Sequence, residues 1–474
     1  MSDQTKNEAK AQTSPANSGA AETREGGLRA ASRRDFIKSG SVATMMTMLG
    51  GVELFAQTNA APAGEAKAAG PKVKVAVIGL GAWGREILTT LGRLPQADVA
   101  AICDTYPASL RRAASAAPGA AQTADYKTIL DNKEIKAVII ATPTHRHKEI
   151  ALAALTAGKH VYCEAPLAGT MEEARAIAAA AKAAGQLVFQ PGLSARSDPQ
   201  RHFLLPFIRS GAMGQSVMAR AQWHKKQSWR AASPNPDREK ELNWRLSRST
   251  SLGLIGEIGC HQFDQASWLF DARPIAVSGF GTLTTWKDGR DVPDSVQALI
   301  EFPNGVFMTY DATLANSFDG QYEMLYGTDA AIMLRESKAW LFKEADSPLL
   351  GWEVYARKET FYKETGIALV ANASKSVTQN DQPAEEQAVT NTPLFFALSN
   401  FLRNAADVGA AAEDFISTFG ADDPAALVEH LGKVHRQPAA GWLEGYQATV
   451  TAIKANEAVL AGQRIELKPE WYEV

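Results

Sequence analysis

The sequence predicts an α/β protein in two parts: a doubly wound parallel sheet with helices on both faces, then an α+β domain with an open, mostly antiparallel sheet. Two patterns predict it. Val73–Ile78 is a β-branched run leading directly into Gly79-Leu80-Gly81-Ala82-Trp83-Gly84 and a helical stretch to Leu91. Beyond Gly192, apolar and polar residues alternate in several short runs, the period of half-buried strands. At 474 residues the chain is long enough for two or three domains.

Composition bounds the partners. Apolar residues make up 45% and charged residues 21%, enough hydrocarbon to offset chain entropy. Lys plus Arg number 49 against 52 Asp plus Glu, a formal net charge of -3, so no basic field is present to hold nucleic acid. Three cysteines, Cys103, Cys163 and Cys260, are too few and scattered for a disulfide framework or a zinc cluster, and read as buried thiols of one interior region.

Residues 1–70 read as a leader. Met1 to Thr23 lacks apolar periodicity; Ser32-Arg33-Arg34-Asp35-Phe36-Ile37-Lys38 follows, then an uncharged stretch from Val42 to Val52 and the small-residue site Ala61-Pro62-Ala63. This order resembles a twin-arginine export signal, which implies a periplasmic protein folded before export. The uncharged stretch is well short of the roughly 20 residues that cross a bilayer, so no stable membrane anchor is expected. An exported enzyme meets no pool of soluble nicotinamide, so any dinucleotide it uses is expected to stay bound through many turnovers.

Residues 71–192 read as the first domain, a Rossmann arrangement. Gly79 permits a tight turn, Gly81 lets backbone approach a pyrophosphate, and Gly84 allows close helix packing, while the helix N-terminus beginning at Ala82 and Trp83 offers free N–H groups to phosphate. Val99–Cys103 reads as the second strand and ends at Asp104, where a ribose-binding carboxylate belongs. That carboxylate accepts from ribose hydroxyls and repels a 2′-phosphate, so NAD is expected over NADP; Arg111 and Arg112 keep NADP open. Ala137–Ala141 reads as a further strand, running into Thr142-Pro143-Thr144-His145-Arg146-His147; Lys159-His160-Val161-Tyr162-Cys163-Glu164-Ala165-Pro166 follows a helix. His145 and His147 supply only two ligands, and no metal is assigned.

These motifs together resemble the Gfo/Idh/MocA family, named for glucose-fructose oxidoreductase and inositol dehydrogenase, which has Thr-Pro-x-x-x-His and then His-Val-x-x-Glu-Lys-Pro at these places. The resemblance runs from about Val73 to Trp471. It implies that Thr142, Pro143, His147, Glu164, Ala165 and Pro166 surround the cofactor, and that the Pro166 peptide is cis. The family lysine, which sits beside the nicotinamide and handles the substrate hydroxyl proton, is Ala165 here. That leaves three readings: a degenerate binding protein, an enzyme whose base comes from elsewhere, and an enzyme with a changed reaction.

Residues 193–474 read as the second domain, with strands at Val217–Trp223, Ala276–Thr282, Val296–Phe302, Val306–Thr313 and Tyr322–Gly327 and a hairpin turn at Phe302-Pro303-Asn304-Gly305-Val306. It resembles the family's substrate and oligomerisation domain, implying a homo-oligomer. Gly253 to Asp264 matches the family's glycine-rich segment and Asp-x-Gly-x-His-x-x-Asp, with Glu257 at the first acid, His261 at the histidine and Asp264 at the last acid. Glu257 and His261, four apart, are expected on one helical face, where the carboxylate raises the imidazole pKa and makes His261 a general base. From the residues alone, Ile255, Ile258, Phe263, Trp268 and Leu269 equally mark a core helix in which His261 only satisfies a neighbour. The loop from His224 to Ser249 carries Trp229, Arg230, Trp244 and Arg245, which suit a sugar ring or equally a solvated loop packed by tryptophans; Asp264 is a further substrate candidate. Residues 371–392 read as an excursion, and Leu394–Ala406 and Tyr446–Leu460 as helices.

Three functions compete: hydride transfer between tightly bound NAD and a sugar, polyol or glycoside hydroxyl; a redox-neutral glycoside-cleaving or epimerising reaction through a keto-sugar; and a non-catalytic sugar or dinucleotide binder.

Overall fold

The first β-branched run becomes β1 (Val73–Ile78) in the computed structural model, which describes residues 71–335, 338–351, 353, 358–361, 364–368 and 391–474. The expected leader and residues 371–390 of the expected excursion lie outside the described residues. Five strands join β1: β2 (Ala97–Cys103), β3 (Ala121–Thr123), β4 (Ala137–Ile140), β5 (His160–Cys163) and β6 (Phe189–Pro191). All pairs are parallel, in the order β3-β2-β1-β4-β5-β6. The order reverses between β1 and β4, which opens a crevice beyond their carboxyl ends.

A parallel sheet must be covered on both faces. The intervening helices are α1 (Ala82–Leu91), α2 (Pro107–Ala113), α3 (Tyr126–Asp131), α4 (His147–Thr156) and α5 (Met171–Ala183). Ala76, Ile78, Val138 and Ile140 face Ile150, Ala154, Ile177 and Ala178 of α4 and α5. On the opposite face Val75, Val77 and Ile139 meet Ile87 and Leu91 of α1, together with Leu398, Phe401 and Leu402 from far along the chain. A helix beyond residue 391, which the split at residue 193 assigns to the second domain, completes the core of the nucleotide domain.

The second domain opens with α6 (Pro199–Arg209) and continues through β7 (Ser216–His224), α7 (Pro236–Leu242), α8 (Gly253–Glu257) and α9 (Gly259–Phe270). The strands β8 (Ala276–Thr282), β9 (Ser295–Glu301), β10 (Phe307–Thr313), β11 (Gln321–Gly327), β12 (Ala330–Arg335), β13 (Lys338–Lys343), β14 (Lys358–Phe361), β15 (Glu364–Ala368) and β16 (Ile465–Glu466) join β7 in a ten-stranded sheet. Its order is β14-β15-β13-β12-β11-β7-β10-β9-β8-β16, antiparallel except for the β7–β10 pair. Asn304 and Gly305 take positive φ at the β9–β10 turn, which the Phe302 N–H closes on the Val306 carbonyl at 2.8 Å.

The chain ends with α10 (Pro393–Phe419), which supplies the Leu398 to Leu402 contacts above, then α11 (Pro424–Gly432) and α12 (Trp442–Ala461). Helix α12 joins the two domains. Gly445 lies so near β6 that a Cβ there would come within 2.8 Å of the Pro191 ring. One turn on, the Thr449 hydroxyl accepts the Leu167 N–H at 2.9 Å and donates to the Gly445 carbonyl at 2.7 Å. Leu167 follows the turn after β5, so α12 fixes that turn from behind.

Leu167 is fully buried. Thr449→Val is expected to strand its N–H and to lower unfolding free energy by about 1–3 kcal/mol in urea titration, with Thr449→Ser restoring most of the loss.

Candidate functional site

The glycine loop is built by close approach. Gly79 has φ +95°, and a Cβ there would fall 2.6 Å from the Ala141 carbonyl oxygen. A Cβ on Gly84 would lie 2.0 Å from the Gly79 oxygen, so helix and loop touch through glycine alone. At Gly81 the reverse holds: nothing stands within 4 Å of the missing Cβ. Gly81 is the N-cap of α1 and makes no side-chain cap bond, so the first N–H groups of the helix face open space. Asp104 completes the cradle. Its Oδ2 accepts the Leu80 N–H at 2.9 Å and its Oδ1 the Tyr106 N–H at 2.8 Å. Across the crevice the Thr142 hydroxyl is buried without a hydrogen-bond partner. An uncapped helix end, an empty glycine position, an anchored carboxylate and an orphaned hydroxyl fit a dinucleotide's pyrophosphate and ribose.

Two turns close the other end. The Ala165–Pro166 peptide is cis, as the family resemblance implies. His147 is buried between the turns, with Nδ1 3.1 Å from the Pro166 carbonyl and Nε2 3.0 Å from the Thr142 carbonyl. Burial pushes its pKa down to about 4, so the ring is neutral and clamps the β4 turn to the β5 turn rather than lying open to a ligand. Glu164 stands beside Gly192, where a Cβ would fall 2.3 Å from its Oε2. Burial pushes the Glu164 carboxyl up to about 7, against the opposing pull of the Trp83 indole, the Ala165 N–H, the Arg245 cation and Tyr162. Trp83 itself is 46% exposed at the crevice mouth.

The segment from 225 to 250 crosses over as a strap. Arg245 lies over the Trp244 ring at 4.3 Å and the Trp229 ring at 5.9 Å, contacts worth roughly 0.5–2 kcal/mol each. Its surroundings lower its pKa by desolvation, while Glu257 and Glu164 favour its charge. Trp244 meets the His145 ring edge-on at 6.2 Å. Trp229 and Trp244 are thus gathered at Arg245, whose cation acts on Glu164. Arg230 is not: it is tied to Asp288 at 2.9 Å and lies 3.6 Å from Glu239, within the second domain.

The expected Glu257–His261 pair does not form. The helix breaks at Ile258, leaving Glu257 at the end of α8 and His261 in the first turn of α9. Glu257 accepts instead from the Thr144 hydroxyl at 2.8 Å and from the Ser251 hydroxyl and Leu252 N–H at 3.1 Å. The His261 ring has no hydrogen-bond partner among the described residues, and burial lowers its pKa to about 4, the reverse of the rise expected from a carboxylate neighbour. Asp264 is also committed. It is buried and takes two hydrogen bonds at 2.9 Å from Arg196, which lies 5.3 Å over Trp268; removing one partner of such a pair costs about 3–5 kcal/mol. Thr144, Ser251 and Arg196 went unrecognised because hydroxyl and guanidinium partners carry no sequence periodicity. The cysteines are free and buried, but Cys260 packs in a separate cluster from Cys103 and Cys163.

Known proteins share this fold. Residues 73–191 match the Gfo/Idh/MocA oxidoreductase family's NAD-binding Rossmann fold, and residues 206–333 match its C-terminal domain, together a little over half of the chain. The chain belongs to the Gfo/Idh/MocA family. Among curated Gfo/Idh/MocA relatives, levoglucosan dehydrogenase of Pseudarthrobacter phenanthrenivorans is 33% identical over 234 residues, covering 44% of this chain and 58% of that protein. Inositol 2-dehydrogenase 2 of Saccharopolyspora erythraea is 28% identical over 237 residues, covering 50% of this chain and 65% of that protein. The chain thus spans less than two thirds of either relative. A solved levoglucosan dehydrogenase in complex with NADH superposes with a TM-score of 0.61 at 21% identity, covering 84% of this chain and 99% of that one, a likeness of fold.

Glu164 holds its proton more tightly folded than unfolded, so its contribution to stability falls as pH rises from its ordinary value of 4.5 through about 7. Urea titrations of the unliganded protein from about pH 5 to 8 are expected to show Glu164→Gln flattening that decline; an identical slope in both proteins would exclude this titration.

Proposed function

We propose that this Gfo/Idh/MocA protein is an NAD-dependent oxidoreductase that takes hydride from a C–H bearing a hydroxyl on a sugar, polyol or glycoside. One observation carries the reading: the aromatic strap reaches the nucleotide half, Trp244 meeting the His145 ring at 6.2 Å and the Arg245 cation acting on the Glu164 carboxyl. The dehydrogenases among the relatives support the substrate class. Bound nicotinamide supplies the hydride acceptor. The chain does the rest. The glycine loop and α1 hold the pyrophosphate, and Asp104 the ribose. Trp229 and Trp244 offer apolar faces to the C–H faces of a ring, and Arg245 offers a guanidinium to its hydroxyls. His261, neutral and unpartnered, is the candidate to take the hydroxyl proton, since Ala165 brings no amine.

Ala165 also favours a second reading. Without an ammonium at this turn, bound nicotinamide would supply a temporary oxidation of a ring hydroxyl to a ketone, which acidifies the neighbouring C–H for elimination or inversion and is then reversed, a redox-neutral cleavage or epimerisation of a glycoside. The arginine pair at Arg33-Arg34 supports periplasmic placement with the dinucleotide retained. Phe307 and Met218, exposed on paired positions of the second sheet, support self-association through that face.

The test uses full-length protein purified with its leader. Acid extraction is expected to release stoichiometric NAD, and sugars are then added while the near-ultraviolet absorbance of reduced nicotinamide is followed. Net reduction supports the dehydrogenase. Turnover of a chromogenic glycoside without net reduction supports the redox-neutral reaction, and neither result leaves only a binder.

His261→Ala is expected to keep its NAD and lose on the order of 10²–10⁴-fold in turnover; unchanged turnover removes His261 as the base. Asp104→Ala is expected to purify depleted of nucleotide, and a fully loaded variant would refute the ribose role.

A further inference from the structure

The strap is braced within itself and against the second domain, to which Arg230 is tied through Asp288 and Ser228 through Arg290. Asn243 accepts the Ala231 N–H and donates to the Ala231 carbonyl, both at 2.8 Å; Asn235 caps α7 by accepting the Arg238 N–H at 3.1 Å; and Glu239 accepts the Ser233 N–H at 3.2 Å. Arg238 breaks the pattern by crossing to the nucleotide domain. Its guanidinium stacks 4.5 Å from the Tyr106 ring centre, and Nη2 lies 3.6 Å from Asp104 Oδ1, while Nη1 donates to Glu241 at 2.8 Å. The Arg238 and Asp104 side chains keep only 15% and 10% of their exposure. The Nε of Arg238 is buried and has no hydrogen-bond partner.

Asp104 has about four acceptor positions and spends two on the Leu80 and Tyr106 N–H groups, leaving the rest for ribose hydroxyls. A ribose that takes them lies against Arg238. Beside those positions the guanidinium offsets the carboxylate charge and presents one unused N–H.

We propose that Arg238 is a latch over the adenosine ribose: seated on Tyr106 and Asp104, it slows release of the bound dinucleotide. It touches neither the nicotinamide end nor Glu164, so it is a retention residue and not a catalytic one. The latch rests on the reading that the glycine loop holds a pyridine dinucleotide, and it explains how one strap carries both the ring-facing tryptophans and the grip on the cofactor.

The experiment measures exchange and not turnover. Full-length protein is loaded with NADH and mixed with excess ADP-ribose, and release is followed by loss of energy transfer from tryptophan to nicotinamide. Arg238→Ala is expected to release NADH roughly 10- to 100-fold faster, the loss of a desolvated cation–π contact and an ion pair together, in protein whose folding is verified by its melting temperature before loading. Tyr106→Leu, which removes the seat from the opposite domain, is expected to speed release in the same direction. Arg238→Lys is expected to fall between wild type and Arg238→Ala, because charge is kept and the planar stack is lost. Wild type and Arg238→Ala releasing NADH at one rate would overturn the latch while leaving the proposed function intact. Wild-type protein that binds no NADH would overturn both.

Discussion

The site depends on how near α1 comes to the loop that precedes it. At Gly84 there is room for a hydrogen against the Gly79 carbonyl and for nothing larger. That approach has two results. It carries the helix N-terminus up to the open space at Gly81, where its unbonded N–H groups gather. It also turns the Leu80 N–H outward onto Asp104, so the acid at the end of β2 is held by the loop it helps to complete. Cradle and carboxylate are one unit because a single pair of glycines permits the contact.

At the opposite end the governing constraint is charge. Glu164 and Glu257 are two enclosed carboxylates that both interact with Arg245. They are not equally supported. Glu257 has three donors of its own, from Thr144, Ser251 and Leu252, whereas one Glu164 oxygen is buried without a partner. Burial raises the proton affinity of both carboxyls, and it takes that of Glu164 to about 7. Ala165 adds no positive charge from the β5 turn itself. The cation acting on Glu164 arrives instead on the strap, from another domain, over the Trp244 ring and near that of Trp229.

Much of this was legible in the sequence, and the failures are instructive. The β1–loop–α1 unit and Asp104 were readable because each glycine answers a steric demand that no other residue meets, and the five named strands because their inward and outward faces differ in polarity. β12 escaped notice since Ile332, Met333 and Leu334 are all buried, so the run shows no alternation. The reach of α10 into the nucleotide core was invisible because its apolar stripe carries no label for the surface it covers. The Glu257–His261 pairing failed for a local reason: four residues apart means adjacent only on an unbroken helix, and Ile258 interrupts this one. The role of Arg238 had no signature at all, since a charged side chain in a polar loop looks the same whether it is solvated or seated on an aromatic ring.

Helix α12 has a consequence for motion. Its buried residues pack with both halves, and Gly445 and Thr449 are keyed into Pro191 and Leu167 at the edge of the nucleotide domain. Rotating the halves apart as rigid bodies would withdraw that key and expose a fully buried amide, a costly way to admit a ligand. Admitting a ligand costs less at the polypeptide arm that overlies the crevice than between the halves, for which the frame beneath serves as a fixed anvil.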